Sequence, residues 1–364
     1  MPHETRFQKN MMVDFSPGPS QLYFTVEDHT RNAFRQGVPS LSHRSRAFEA
    51  IYQHTQEHLR ALLSIPTTHH IFFTSSATEI WERLVQNLVV EHSAHFVNGA
   101  FSEKFYQVAK QLNKSAQEIR AADGEGFALP VKLNTELIGV AHNETSTGVA
   151  LPKEFIYGLK DKNPHALLCV DAVSSLPFVD FDYSKIDSVY FSVQKGFGMP
   201  PGLGAWIVND ACMEKAASLQ ARGLPIGTHH SLPSYLKNGL KNQTPETPNS
   251  VAIYVLGKVA EDMARRGIGT IRKETEYKAV ILYHELQRHP GLPPFVQDKT
   301  YQSPTVIVAN PGRQTEKFAT YLSKKGIKAG EGYGVHKGAH LRFANFPAHS
   351  KEQFELLVDS IQAF

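Results

Sequence analysis

The chain is poor in cysteine, in net charge and in long apolar runs, and each shortage narrows what it can be. Two cysteines in 364 residues, Cys169 and Cys212, cannot build a disulfide framework and suit a reducing compartment. Lys plus Arg number 38 against 35 Asp plus Glu. That net charge of +3 is too even to make nucleic acid or a membrane surface the main partner. No apolar run approaches the ~20 residues of a membrane helix, and the opening "MPHETRFQKNMMVDF" lacks the apolar centre of a signal peptide. A soluble, cytoplasmic protein is expected. Eighteen histidines are many, yet no HExxH or CxxC pattern gathers them, so most read as scattered surface and loop residues and no metal site is expected. Nucleotide-binding signatures are missing too: there is no GxxxxGK[ST], and the glycines of "GFGMPPGLG" lack GxGxxG spacing and lead into a strand.

What the chain does have is alternation. "HIFFT", "HFVN", "ELIGVAHN", "ALLCVDA" and "SVYFSV" are short apolar runs separated by helical patterns. In "SSATEIWERLVQNLVVEH", for instance, Ile80, Trp81, Leu84, Val85, Leu88 and Val89 recur at helical spacing. Near-continuous apolar strands between helices predict an α/β fold with a mostly parallel sheet between helices. The Pro-rich "KNQTPETPNS" precedes another long helical pattern, and "PTVIVAN", "AHLRFANF" and a final helix suggest a smaller α+β unit. The expected division is an N-terminal arm over 1–15, a large domain over 16–255 and a small C-terminal domain over 256–364, in keeping with the ~250–300 residue limit on single cores.

Ligands of open α/β sheets sit beyond the carboxyl ends of the strands. There the sequence places Thr74 to Thr78, Gly99 to Phe101, Asn143 to Thr145, Asp171, and Gln194 with Lys195. Each group alone has an ordinary explanation. Ser75 or Ser76 can cap a helix, Asp171 can cap the next one, and Lys195 can snorkel from an edge. Together they meet the needs of pyridoxal phosphate. A buried lysine is available as a neutral amine to capture the aldehyde. A carboxylate keeps the pyridine nitrogen protonated, a helix N-terminus with hydroxyls cradles phosphate, and an aromatic face stacks on the ring.

At these residues the chain resembles the class V, fold type I pyridoxal-phosphate aminotransferases, and within them the phosphoserine branch. The resemblance rests on "DFSPGPSQL", "SLSHRSRAFEAIYQHTQEHLRALLSIP", "NETSTG", "VDAVSS" and "SVQKG", in that order along the chain. It implies Lys195 as the lysine that binds the cofactor and Asp171 as partner of the pyridine nitrogen. Phe101 takes the place of the usual stacking tryptophan, and Thr145 lies at the ring's hydroxyl side. Ser76, Ala77, Thr78 and Gln194 fall around the phosphate. Thr247 matches the "T-P" turn by which a partner subunit completes the phosphate cup, implying a homodimer with shared sites. His43, Arg44, His336, Lys337 and Arg342 fall at substrate positions, Arg342 as the carboxylate-binding arginine. The implied reaction converts O-phospho-L-serine and 2-oxoglutarate to 3-phosphohydroxypyruvate and L-glutamate, in serine biosynthesis. Two features point elsewhere. "HKGAHLR" has Lys337 where the phosphoserine branch carries an arginine and is one residue short. "STGV" and "PPG" look more like the alanine–glyoxylate or serine–pyruvate branch. A lyase of the same fold would need a nucleophilic cysteine on a mobile loop, and neither cysteine suits. A binding-only protein would have no use for both Lys195 and Asp171.

Overall fold

The computed structural model describes residues 12–364. A seven-stranded sheet organises the first two thirds. Across it the strands run His69–Thr74, Gly204–Asn209, Ser188–Ser192, Leu167–Asp171, Leu137–Ala141, His92–Val97 and Ser115–Arg120. All are parallel except Gly204–Asn209, which runs antiparallel to both of its neighbours. The three central strands are buried along their whole length, which is why they read as unbroken apolar runs. The expected α/β fold with a mostly parallel sheet is the one observed.

Helices cover both faces. In Arg46–Leu63, Ser45 accepts from the Phe48 amide at the N-cap, and Phe48, Tyr52, Leu59, Leu62 and Leu63 form the buried stripe. That stripe packs against Ser250–Arg266, which buries Ile253, Leu256, Val259, Ala260 and Met263 in the same core. Each such aliphatic side chain removed from water contributes roughly 1.5–3 kcal/mol. Residue 255 lies inside this helix, and the chain turns only at Gly267, where φ is 89°.

A second sheet of four strands has the order Val13–Phe15, Ile327–Glu331, Leu341–Ala344, Val306–Ala309. Helices Ile268–Arg288 and Lys351–Gln362 pack on it around Phe15, Leu282, Phe343, Phe354 and Leu357. The N-terminal segment therefore enters this core: Val13 to Phe15 pair in parallel with Ile327 to Ala329. No helix among the described residues is long and apolar enough to cross a membrane.

Candidate active site

Three neighbouring strands deliver the site. Leu167–Asp171 ends on its own acid, and Ser188–Ser192 alongside it runs on to Gln194 and Lys195. On the other side Leu137–Ala141 leads into Asn143, Glu144 and Thr145. The parallel register brings all three carboxyl ends to one edge.

Lys195 is 7% exposed. Its Nζ donates to the Pro17 carbonyl at 2.8 Å and to Thr145 Oγ1 at 3.4 Å, and lies 5.4 Å from the centre of the Phe101 ring. Burial pushes the amine down to about 7, and Arg342 adds to the effect while Asp171 and Glu144 oppose it. Gly18 makes the close approach of the N-terminal loop possible: its φ is +133°, and a Cβ there would sit 3.1 Å from Lys195 Nζ. Gly196 is constrained as tightly, since a Cβ would fall 2.0 Å from the Leu176 carbonyl oxygen.

Asp171 is equally buried, and its two oxygens are shared between different donors. Trp81 Nε1 donates to Oδ2 at 3.2 Å and the Val173 amide donates to Oδ1 at 2.9 Å. Burial raises this carboxyl to about 6, against the lowering effect of those two hydrogen bonds. Thr145 is tied to the following loop, because Thr145 Oγ1 and Asn143 Nδ2 both donate to Ser174 Oγ, at 2.9 and 2.7 Å.

The expected phosphate cradle sits at the start of Ala77–Leu88. Ser76 is the N-cap and accepts from the Glu79 amide at 3.2 Å. Ala77 is buried and its amide donates to Ser192 Oγ at 2.8 Å, locking the helix start to the strand that precedes Lys195. Thr78 is exposed, and Gln194 Oε1 is buried with no hydrogen-bond partner.

Arg342, on Leu341–Ala344 of the second sheet, reaches the same place. Its Nη1 donates to the Thr145 carbonyl at 3.3 Å and its Nε to the Glu331 carbonyl at 2.6 Å. Burial lowers it to about 10, well below the usual guanidinium range. Phe101 also meets the second sheet's unit, stacking on Tyr333 with centroids 4.9 Å apart and planes 27° apart. Lys104 donates to the Tyr333 hydroxyl at 2.6 Å, and the Arg342 guanidinium lies 5.5 Å over the Tyr333 ring. Tyr333 escaped the sequence reading; its one signal was an aromatic flanked by glycines in "GEGYGV".

Glu144 also gained no role from sequence. It is fully buried and accepts from the amides of Phe101, Ser102 and Ser146 and from the hydroxyls of Ser102 and Ser146. That carboxylate sits at the N-terminus of Ala100–Gln111, where its charge complements the helix dipole.

The remaining expected residues lie around, not within, this group. Arg44 donates to Asn238 Oδ1, Gln243 Oε1 and the carbonyls of Thr244 and Pro245. His43 Nδ1 is 3.4 Å from Thr247 Oγ1, so both residues hold the 238–247 segment. His336 is bonded through Nε2 to Asp123 Oδ2 at 2.6 Å and stacks on His340, while Lys337 is exposed.

The family described as aminotransferase class-V spans residues 13–345. A phosphoserine aminotransferase of solved structure from Cytophaga hutchinsonii is 44% identical, with a TM-score of 0.95 over 97% of this chain and 99% of its own. The curated phosphoserine aminotransferase of a Nocardioides species is 28% identical, over 95% of this chain and 94% of its own. An alanine–glyoxylate aminotransferase from Nostoc shares the fold, at a TM-score of 0.80 and 22% identity over 97% of this chain and 95% of its own. A family match across nearly the whole length and a 44% identical relative lead to one conclusion: this chain belongs to the class-V aminotransferases.

Proposed function

We propose that the protein is a pyridoxal-phosphate-dependent aminotransferase that exchanges the amino group between O-phospho-L-serine and 2-oxoglutarate, giving 3-phosphohydroxypyruvate and L-glutamate, as a step of serine biosynthesis. One observation carries the chemistry: a buried amine depressed to about 7 and a buried carboxyl face one site from adjacent strand ends, with Arg342 above them.

The residues fit the cofactor. Lys195 would hold the aldehyde carbon, and Asp171 would face the ring nitrogen, a cationic partner that an acid so buried otherwise lacks. Phe101 would cover the ring face and Thr145 its hydroxyl edge. Ser76, Ala77, Thr78 and Gln194 would surround the phosphate, Gln194 donating through its Nε2 amide. When bound, the cofactor supplies an electron sink for the substrate's α-carbon. The chain supplies the rest. Arg342 binds the α-carboxylate, and Tyr333 with Phe101 excludes water. The neutral amine of Lys195, once displaced, takes the Cα proton and returns one. His336 and Lys337 are assigned the second anionic group of the substrate, and His43 and Arg44, which hold the segment of Thr247, would reach it from a second copy together with that segment.

The choice of O-phospho-L-serine is supported by the 44% identical Cytophaga enzyme. The division of labour follows the two cores: the unit ending at Gly267 holds the cofactor, and the unit carrying Tyr333 and Arg342 closes over the substrate. Thr247 is exposed on a segment braced by Arg44, which suits a role in the phosphate cup of a second copy, hence a homodimer. Assays of phosphoserine, alanine and serine against 2-oxoglutarate, glyoxylate and pyruvate test the substrate. Alanine or serine with glyoxylate far outpacing phosphoserine would sink that assignment. A yellow purified protein bleached by borohydride tests the cofactor separately.

A further inference from the structure

Among the described residues, one pair of histidines meets a carboxylate in space away from the site. His54 and His58 stand one turn apart on Arg46–Leu63, and Glu261 faces them from Ser250–Arg266. The nitrogen and oxygen atoms they offer all lie within 4.8 Å of one another. The two imidazole centroids are 4.2 Å apart, and His54 Nε2 is 3.4 Å from Glu261 Oε2. Ligands bonded at ~2.0–2.1 Å in a tetrahedron are separated by about 3.3 Å, so the His54–Glu261 edge already has that length. His54 Nε2 is also shielded from solvent and makes no hydrogen bond.

We propose that His54, His58 and Glu261 form a binding site for a divalent transition metal of the zinc type, with water in the fourth position. Two imidazoles and one carboxylate select such a metal over magnesium or calcium, which take oxygen ligands. The metal would staple the two helices, whose first turns directly follow His43–Arg44 and Thr247. Two cations already hold the Glu261 carboxylate. Lys258 Nζ donates to Glu261 Oε2 at 2.9 Å and Arg265 Nη2 to Oε1 at 3.0 Å. The metal must displace Lys258 from Oε2, while Arg265 can stay on Oε1 as an outer partner that orients the carboxylate. The proposal is independent of the transamination reading, since none of these residues belongs to that site.

Chelator-stripped holoenzyme titrated with zinc chloride in a calorimeter tests it, with magnesium chloride as control. The expected result is one zinc per chain and a melting temperature that rises with zinc concentration, magnesium having no effect. The double variant His54→Ala/His58→Ala should lose both responses, its cofactor absorbance and metal-free turnover confirming that it folds. Lys258→Met should bind zinc several-fold tighter, because the competing ammonium is gone. Equal zinc binding by wild type and double variant, or none by either, overturns the site. Unchanged affinity in Lys258→Met overturns Glu261 as a ligand.

Discussion

Tyr333 lies flat on Phe101 across the junction between the two sheets, with ring centroids 4.9 Å apart, and presents its other attractions to Lys104 and Arg342. Phe101 is the residue assigned to cover the cofactor ring, so the small unit's aromatic backs the large unit's. A stacked pair contributes about 0.5–1.5 kcal/mol beyond its buried area, and an arginine over the ring adds a similar amount. Tyr333→Ala should therefore raise KM for the amino donor about tenfold, the equivalent of about 1.4 kcal/mol. Tyr333→Phe keeps the stack and loses only the bond from Lys104, so its KM should stay within about threefold. Steady-state kinetics on both variants decide the matter, and equal effects would remove stacking as the cause.

The depressed amine of Lys195 has a consequence for stability. Its pKa is about 7 in the folded chain against 10.5 for an exposed lysine, so between those values the unfolded chain binds the extra proton. Stability then rises with pH across that window; the cost is complete below about 7 and gone above about 10.5. Lys195→Met removes the cost. In urea unfolding of cofactor-free protein, the variant should exceed wild type by a few kcal/mol at pH 6.5, and the gap should close towards pH 10. Asp171 has the opposite sign: raised to about 6, it destabilises increasingly as pH climbs from 3.8 to 6. Starting at pH 6.5 keeps its titration out of the comparison. A gap that does not change with pH would show that Lys195 is not depressed.

Glu144 holds the start of the helix that carries Phe101 through three donors on that helix, and accepts two more from Ser146. Hydrogen bonds to a charged acceptor contribute about 1.5–3 kcal/mol each, and leaving buried donors without one costs more. Glu144→Ala should destabilise the protein by about 3–5 kcal/mol. Glu144→Gln should recover part of that, because its single carbonyl can serve only some of the donors. Denaturant midpoints give the ranking. A Glu144→Ala protein as stable as wild type would mean that the buried charge is not needed.

How much of this could be read from sequence followed from burial. Leu137–Ala141, Leu167–Asp171 and Ser188–Ser192 are covered on both faces, so their residues are almost all apolar and the strands were legible. Ser115–Arg120 was not: it is the sheet edge, half-exposed, and "SAQEIR" alternates too weakly to stand out. Val13–Phe15 read as an arm because its partner strand starts at Ile327, and such pairings leave no local trace. Lys195, Asp171 and Thr145 were legible as strand ends. The four acceptors of Arg44 lie near residue 240, so only the folded chain shows that this arginine braces a turn.

Lys337 is one position where the chain departs from the phosphoserine branch it resembles, and it offers the sharpest test of the substrate. It is exposed on the segment leading to Arg342, while its neighbour His336 is already engaged by Asp123. A lysine can attract a phosphate only as a point charge, whereas an arginine offers a planar fork that fits two oxygens at once. If residue 337 meets the substrate phosphate, Lys337→Arg should raise kcat/KM for O-phospho-L-serine by about three- to tenfold. It should leave L-serine and L-alanine unchanged, because neither carries the group that the fork recognises. Lys337→Ala should reverse the preference, with a phosphoserine loss that shrinks at high salt as an exposed charge is screened. Competition assays with the donors mixed read the ratio directly. An equal change for all donors, or none, would remove Lys337 from the substrate site and leave the phosphate to His43 and Arg44.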